Sequence, residues 1–430
     1  MLALAQMARA PRQAMRMILL LALAISFGVF SLVFTSSESQ QILNVAASQV
    51  GADFSGPTPN FTVVASDAQQ TLAQRTAAYR QIPGVLSATL GYAGSAVPAG
   101  GAAPTPIEVR AVDTQNFAQT AIWTDQDSSQ SLPSLMGQLS HAPASGIPAI
   151  VDALAWQELH LSVGSPFTLN VQDSSLIFVA VAEVQHIPTV NDSLDTPGTS
   201  DYATPGGILV DFPLLAEGYT AFSQETLALN YVWLRTSDNP ALLAKIRAAL
   251  TGGPLQLGSL NDRRAMIADL QHDPLYLDLI AALQLGAAVT VLLALVGNLI
   301  ASWLGARSRL LNFVVLRALG SAPRQIASVL IWEQGMIYTA ALALGALFSA
   351  LLIWTIVPAL VFVAAPNNGA SFNSGEFYVI QHVLPVQILL PPTLGIVLAG
   401  IVAICVVALW MMARVVSRPS IGQTLRLSED

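Results

Sequence analysis

The chain has 430 residues, of which 53% are hydrophobic and only 10% charged. So little charge cannot solvate the whole outline in water, which excludes a fully soluble globule and requires part of the surface to face lipid. The net charge of −8 is unevenly spread: residues 36–275 hold 21 Asp/Glu against 8 Lys/Arg, while ten arginines sit in three short pieces with only two acids, Glu429 and Asp430.

The first of those basic pieces carries Arg9, Arg12 and Arg16 and precedes Met17–Phe34, 18 apolar or small residues that just cross a bilayer as a helix. A cleaved signal peptide is the competing reading. The long apolar core and the absence of an A-x-A site in "FTSSESQ" favour a retained anchor.

From residue 36 to 275 strand and helix signals alternate. β-branched and aromatic runs predict strands in "FTVVA" (61–65), "IEVRAV" (107–112), "LIFVAVAEV" (176–184), "GGILVDF" (206–212) and "LNYVWLRT" (229–236). Helices are expected over 67–80, 150–159, 240–250 and 261–271, with Asn239 as N-cap before Pro240. A hairpin is expected to turn at Asp173–Ser175, and 94–106 and 191–207 read as Gly/Pro-rich loops. The lone cysteine, Cys405, lies in an apolar run, so no intrachain disulfide forms and this part relies on an ordinary core.

Reactive chemistry is hard to find. Lys245, the only lysine, stands in "ALLAKIRAAL" without the clustered glycines of a phosphate-binding loop, and no G-x-S-x-G elbow occurs. His141, His160, His186, His272 and His382 are scattered singly, without metal-ligand spacing. Asp192, Asp195 and Asp201 share a loop but lack the glycine of a calcium loop, and read as solvated carboxylates. The expectation is a chain that is not an enzyme, with no cofactor and no metal.

Leu279–Trp303 forms the second apolar run; its Gln284 and Asn298 can link helices by hydrogen bonds. Then comes "RSRLLNFVVLRALGSAPRQIASVLIWE" (307–333). Its first half has an apolar face at Leu311, Val315, Ala318 and Leu319, Gly320 fits a helix end, and Ser321 caps a second helix that accepts Pro323 in its first turn. The pattern predicts a short amphipathic helix, a sharp corner, and a direct run into the third apolar stretch. Such a helix either docks on a protein partner or lies on anionic lipid, and the pattern alone leaves both open. The third stretch runs from Trp332 to about Val363 with Pro358 near its end; the fourth is Leu394–Met412, entered through Pro391 and Pro392. Glu333, one turn into the third stretch, would pair with Arg307 or Arg317 or reach water. The tail carries Arg414, Arg418 and Arg426.

Basic connectors belong in the cytoplasm. The expected fold class is therefore an α-helical membrane protein with four transmembrane helices and a large α/β extracytoplasmic domain inserted between the first and second. The division is 1–16 cytoplasmic, 17–35 first span, 36–275 outside domain, 276–304 second span, 305–328 cytoplasmic loop, 329–363 third span, 364–387 short outside loop, 388–413 fourth span and 414–430 cytoplasmic tail.

The arginine-rich lead, "LRALG", "RQI" and the following glutamate resemble the signature of the FtsX-like/MacB-like permease family of ABC transporters (type VII, mechanotransmission). The span order is similar too. In the outside domain, "IPAIVDALAWQELHLSVGSPFTLNV" (147–171) followed by "FVAVAEVQHIPT" (178–189) is similar to that family's periplasmic core. The resemblance implies a coupling helix that docks on a separate ATPase carrying ATP and Mg, with Arg309, Phe313, Leu316, Arg317, Leu319, Gly320, Arg324 and Gln325 as the partner-binding residues and Glu333 as the intramembrane charge. Asn312 departs from a frequent family glutamate, which removes any ion pair made there.

It also implies a multi-pass protein of the bacterial inner membrane, N-in and C-in, whose partners are the ATPase, membrane lipid and either an identical chain or a second permease half, with no nucleic acid. The start "ARAPRQAMRMILLLALAISFGVF" is similar to the second half of larger two-unit members, so a separated half is one expectation. Export or extraction of a lipidic, peptide or drug-like cargo is the implied activity. An FtsX-type regulator of a cell-wall hydrolase is the alternative, and a membrane-tethered enzyme a second one without support in the residues.

Overall fold

A computed structural model describes residues 11–62, 68–99, 106–141, 146–190, 206–308, 323–361 and 384–417. In chain order its elements are α1 (Pro11–Val50), β1 (Phe54–Thr62), α2 (Ala68–Arg80), β2 (Val85–Pro98), β3 (Ile107–Val112), α3 (Thr114–Thr120), α4 (Leu132–Leu139), β4 (Ile147–Asp152), α5 (Ala153–Glu158), β5 (Pro166–Val171) and β6 (Ser174–Val184). Then follow β7 (Gly207–Asp211), α6 (Phe212–Ser223), β8 (Ala228–Thr236), α7 (Pro240–Thr251), β9 (Asn261–Asp262), α8 (Arg263–Gln271), α9 (Pro274–Ser308), α10 (Pro323–Leu360) and α11 (Thr393–Ser417). Two compact units result: Met1–Gln40 with Pro274–Val361 and Val386–Asp430, and Gln41–Asp273 with Phe362–Pro385.

The helical unit buries one row of α1 (Met17, Leu21, Ile25, Val29, Val33) against Ile337, Ala341, Ile353 and Val357 of α10 and Ile401 and Cys405 of α11. Small residues permit close approach: a Cβ on Gly345 would lie 3.0 Å from Ile25, and one on Gly286 would lie 3.1 Å from Phe27. Leu285, Leu292, Leu293 and Val296 of α9 stay exposed, a face suited to hydrocarbon. Among the described residues three helical stretches are long and apolar enough to cross a membrane, Ala14–Val50, Tyr276–Gly297 and Ile331–Leu360; Thr393–Val407 is a shorter apolar helix.

Three helices have an end elsewhere than the expected span limit. α1 does not stop near residue 35 but continues to Val50, because Ile42, Val45, Ala46 and Val50 extend an apolar row and Gly51 is the first residue that breaks it. The third helix ends at Leu360, short of 363. The fourth begins at Thr393 rather than 388, since Pro391 and Pro392 hold the preceding residues out of the helical region.

In the α/β unit nine strands form one sheet in the order β3-β7-β4-β6-β5-β2-β8-β1-β9, and an additional β2–β3 pairing closes the path from β3 to β2 on itself. Alternate residues point to opposite faces. Ala88, Leu90, Ile107, Val109, Ala149, Val151, Phe178 and Val232 meet α2, α6 and α7 on one side. Ile150, Leu209 and Trp233 meet α3 and α4 on the other, where Phe117 sits edge-on to Trp233 with ring centroids 5.6 Å apart. The hydrophobic layers thus cover both faces of the sheet.

That double burial explains the principal error in reading the sequence. Residues 150–159 were expected as one helix, yet 150–152 belong to β4, paired with β6 and β7, and the helix α5 has only six residues. A strand buried on both faces loses its polar alternation and reads as a continuous apolar run. Three further differences follow from local chemistry. The hairpin turns at Gln172–Asp173, both left-handed (φ 45° and 67°), and Ser174 already pairs with Val171. Residues 94–98, expected as loop, finish the 14-residue β2, whose Ala/Gly/Ser content hides it. β1 begins at Phe54, earlier than "FTVVA" indicated, and 63–65 of that run lie outside the described residues. Residues 191–205, with Asp192, Asp195 and Asp201, also lie outside the described residues.

Candidate functional site

Of the expected partner-binding residues, Arg309, Phe313, Leu316, Arg317, Leu319 and Gly320 lie outside the described residues, as does the corner at Ser321. Arg324 and Gln325 fall in the first turn of α10, which opens on Pro323 and runs without a break to Leu360. Proline is tolerated there because no intrahelical amide proton is required. Gln325 is exposed. Eight residues further along the same helix Glu333 is buried, 3% exposed, beside Gln334 and one turn before Ile337 and Tyr338, which enter the helical core. The expected partners of Glu333 are not among the described side chains.

The chain enters the α/β unit at the end of α1. Gly51 takes the left-handed conformation (φ 69°), its amide donates to Ala47 O at 2.7 Å, and its carbonyl accepts from Ile122 N. Thr189 N donates to Ser48 O at 2.7 Å, and Trp233 closes over Gly51. The chain leaves at α8, and the two places are bound together. Phe54 pairs with Asp262 and Ser55 with Asn261, while Arg263 N donates to Asp53 O at 3.1 Å.

Around that junction charges converge. Asp53 is 5% exposed; its Oδ2 accepts from Thr236 N at 2.9 Å, its Oδ1 from Arg263 Nη2 at 2.9 Å and Nε at 3.3 Å, and Arg264 Nη2 lies 3.4 Å away. Arg264 also donates to Asp238 at 2.6 Å, holding that carboxyl below its ordinary range, and its guanidinium lies 6.0 Å from the centre of the Phe54 ring. Arg247 Nε donates to Asp262 Oδ2 at 2.7 Å, and Asp262 Oδ1 caps α8 by accepting from Arg264 N and Ala265 N.

A third chain passage is held by amides. Gln41 Nε2 donates to Leu384 O at 3.1 Å and Gln126 Nε2 to Pro385 O at 2.7 Å. In the helical unit Leu389 N donates to Ser37 Oγ at 3.0 Å.

Sequence reading missed a recurring arrangement, a strand that ends in aspartate and turns at once into a helix. Asp113 after β3, Asp152 in β4, Asp211 in β7 and Asp262 in β9 each accept from amides of the next helix. The signal was present in "AVDT", "IVDA", "LVDF" and "LNDR". Asp152, fully buried, accepts from Ala155 N at 2.8 Å and from Gly207 N, so its oxygens are committed to the backbone. Burial raises the Asp211 carboxyl above its ordinary value despite its bond from Thr114 Oγ1, and burial raises Asp127, which accepts from Thr124 N and Oγ1. Among the described residues no group of three or more His, Cys, Asp or Glu could hold a metal ion.

Residues 285–421 match the family model described as FtsX-like permease C-terminal. No curated protein matches the chain. Among solved structures, the periplasmic region of MacB from Actinobacillus actinomycetemcomitans is similar at 8% identity and a TM-score of 0.30, covering 52% of this chain and 95% of that one. The extracellular domain of the noncanonic ABC-type transporter YknZ from Gram-positive bacteria is similar at 8% identity and a TM-score of 0.27, covering 45% and 88%.

Proposed function

We propose that this chain, an FtsX-like permease over residues 285–421, is the membrane subunit of an ABC transporter that works by mechanotransmission. A separate ATPase, carrying ATP and Mg, presses on the cytoplasmic loop 305–328 through Arg309, Phe313, Leu316, Arg317, Leu319, Gly320, Arg324 and Gln325. Four membrane helices pass the movement to the acidic α/β unit on the far side, with Glu333 held on the cytoplasmic side by an arginine. Both termini and the loop face the cytoplasm of the bacterial inner membrane, following the distribution of arginines. Four spans make half a permease, completed by a second copy or by a different half. The cargo is lipidic, peptide or drug-like, taken from outside or from the outer leaflet.

The observation that carries this reading is the family match itself, which includes the arginine-rich loop and apolar helices on both sides of it. Because α10 is continuous from Pro323, force applied just before it has no slack segment in which to dissipate before the buried residues of the helix. The test is affinity purification of the tagged chain in mild detergent. An ATPase is expected to accompany the wild-type chain and to be lost, by about tenfold or more, in Arg317→Glu, because one reversed charge in an interface costs several kcal/mol. Absence of an ATPase from the wild-type preparation overturns the assignment.

A further inference from the structure

We propose that Asp53, Arg263 and Arg264 form a clasp that makes the end of α1 and the start of α8 a single mechanical input to the α/β unit. Every covalent load arriving from the first helix must pass residues 51–55, and every load arriving through α9 must pass residues 261–273. These two passages are adjacent strands, Phe54 opposite Asp262 and Ser55 opposite Asn261, with Arg263 N bonded to Asp53 O. Two strand residues alone make a weak connection, since β9 is only Asn261–Asp262. The side chains supply the rest. One Asp53 carboxylate holds the amide of Thr236 on β8 and the guanidinium of Arg263 on α8, with Arg264 3.4 Å away. It thus joins three elements that arrive from distant parts of the sequence.

The placement of charge supports the idea. Residues 36–275 contain eight Lys/Arg, and three of them, Arg247, Arg263 and Arg264, converge here on Asp53, Asp238 and Asp262. Asp53 is nearly inaccessible to water, so solubility does not account for it. A carboxylate enclosed this way resists separation, because parting it from the arginines would leave a charge without compensation. When one helix is displaced the other end is therefore carried with it, instead of the two sliding past each other.

The direction of the force rests on the permease reading; the clasp does not. Two measurements on the full chain in lipid nanodiscs separate them. Amide hydrogen exchange is compared for wild type, Asp53→Asn and Asp238→Asn, the last removing only the exposed partner of Arg264. Asp53→Asn is expected to speed exchange across 263–271 and at Thr236 by about tenfold, with β4 and β7 unchanged, as for local opening; Asp238→Asn is expected to stay within about twofold of wild type. Unchanged exchange at 263–271 in Asp53→Asn, or equal acceleration in β4 and β7, overturns the clasp. In the second measurement the co-purified ATPase is trapped with nucleotide. The wild-type α/β unit is expected to change its exchange pattern and Asp53→Asn to lose that change. Retention of the change in Asp53→Asn overturns transmission through the clasp. If no ATPase accompanies the wild type, the permease reading fails while the first measurement still decides the clasp.

Discussion

Gly51 stands where α1 stops being a helix, and its surroundings leave no latitude. A Cβ there would lie 2.7 Å from Thr189 Cγ2 and 3.3 Å from Trp233 Nε1, on a backbone already at φ 69°. Gly51→Ala is expected to lower stability by roughly 1–2 kcal/mol from backbone conformation alone, with the contacts adding to that. Thermal unfolding of the chain in detergent measures it, and an unchanged midpoint would show that the junction relaxes freely. Asp211 makes a second residue-level case. Burial holds its carboxyl above the ordinary value, so the folded state binds the proton more tightly than the unfolded one. Its favourable contribution is full below the unfolded carboxylate value, about 3.9, and is lost as pH rises through the raised folded value. Asn keeps one acceptor oxygen for the cap bond from Leu214 N, and its amide nitrogen can donate to Thr114 Oγ1 where the aspartate now accepts. Asp211→Asn is therefore expected to unfold at a higher temperature than wild type at pH 7, with the difference narrowing toward pH 4.

At the scale of elements, legibility followed periodicity and failed where burial erased it. "IEVRAV" and "LNYVWLRT" are β-branched and aromatic, and β3 and β8 lie where those letters indicate. Asn239 caps α7 through Ala241 N at 3.0 Å, as the Asn-Pro pair implied. The six residues of β4 are all buried, so neither a period of two nor one of 3.6 is visible in them. β2 was hidden for a different reason. Its small residues are requirements of close strand approach, and a Cβ on Gly91 would sit 2.0 Å from Ala111 O across the β2–β3 pairing that closes the sheet. Gly91→Ala is expected to cost about 3 kcal/mol, toward the upper end of overpacking penalties, with amide protection lost first along 107–112. A denaturant midpoint equal to that of wild type would contradict it. The junction around Asp53 was illegible for yet another reason: its members, Asp53, Thr236, Arg263 and Arg264, are brought together only by the sheet order.

For the whole molecule, composition was the more informative guide. Scarce charge required lipid contact, and ten of the arginines fall in the termini and one loop, outside an acidic stretch that folds as a separate unit. The proposed sidedness can be read with a protease. A cleavable sequence replacing Gln172–Asp173 is expected to be cut by enzyme added to intact spheroplasts, and the same sequence placed within 305–328 is expected to survive until the membrane is opened. The reverse pattern would invert the topology and end the permease reading.

The choice of Gln172–Asp173 is more than convenience. Both residues are exposed, both have the left-handed backbone that L-residues rarely adopt, and they join strands already paired from Val171–Ser174 onward. That tip is the natural attachment point for a reporter, since a fluorophore or epitope grafted there leaves the ladder below it intact. It offers a direct test of whether the α/β unit moves with the nucleotide state of the proposed ATPase.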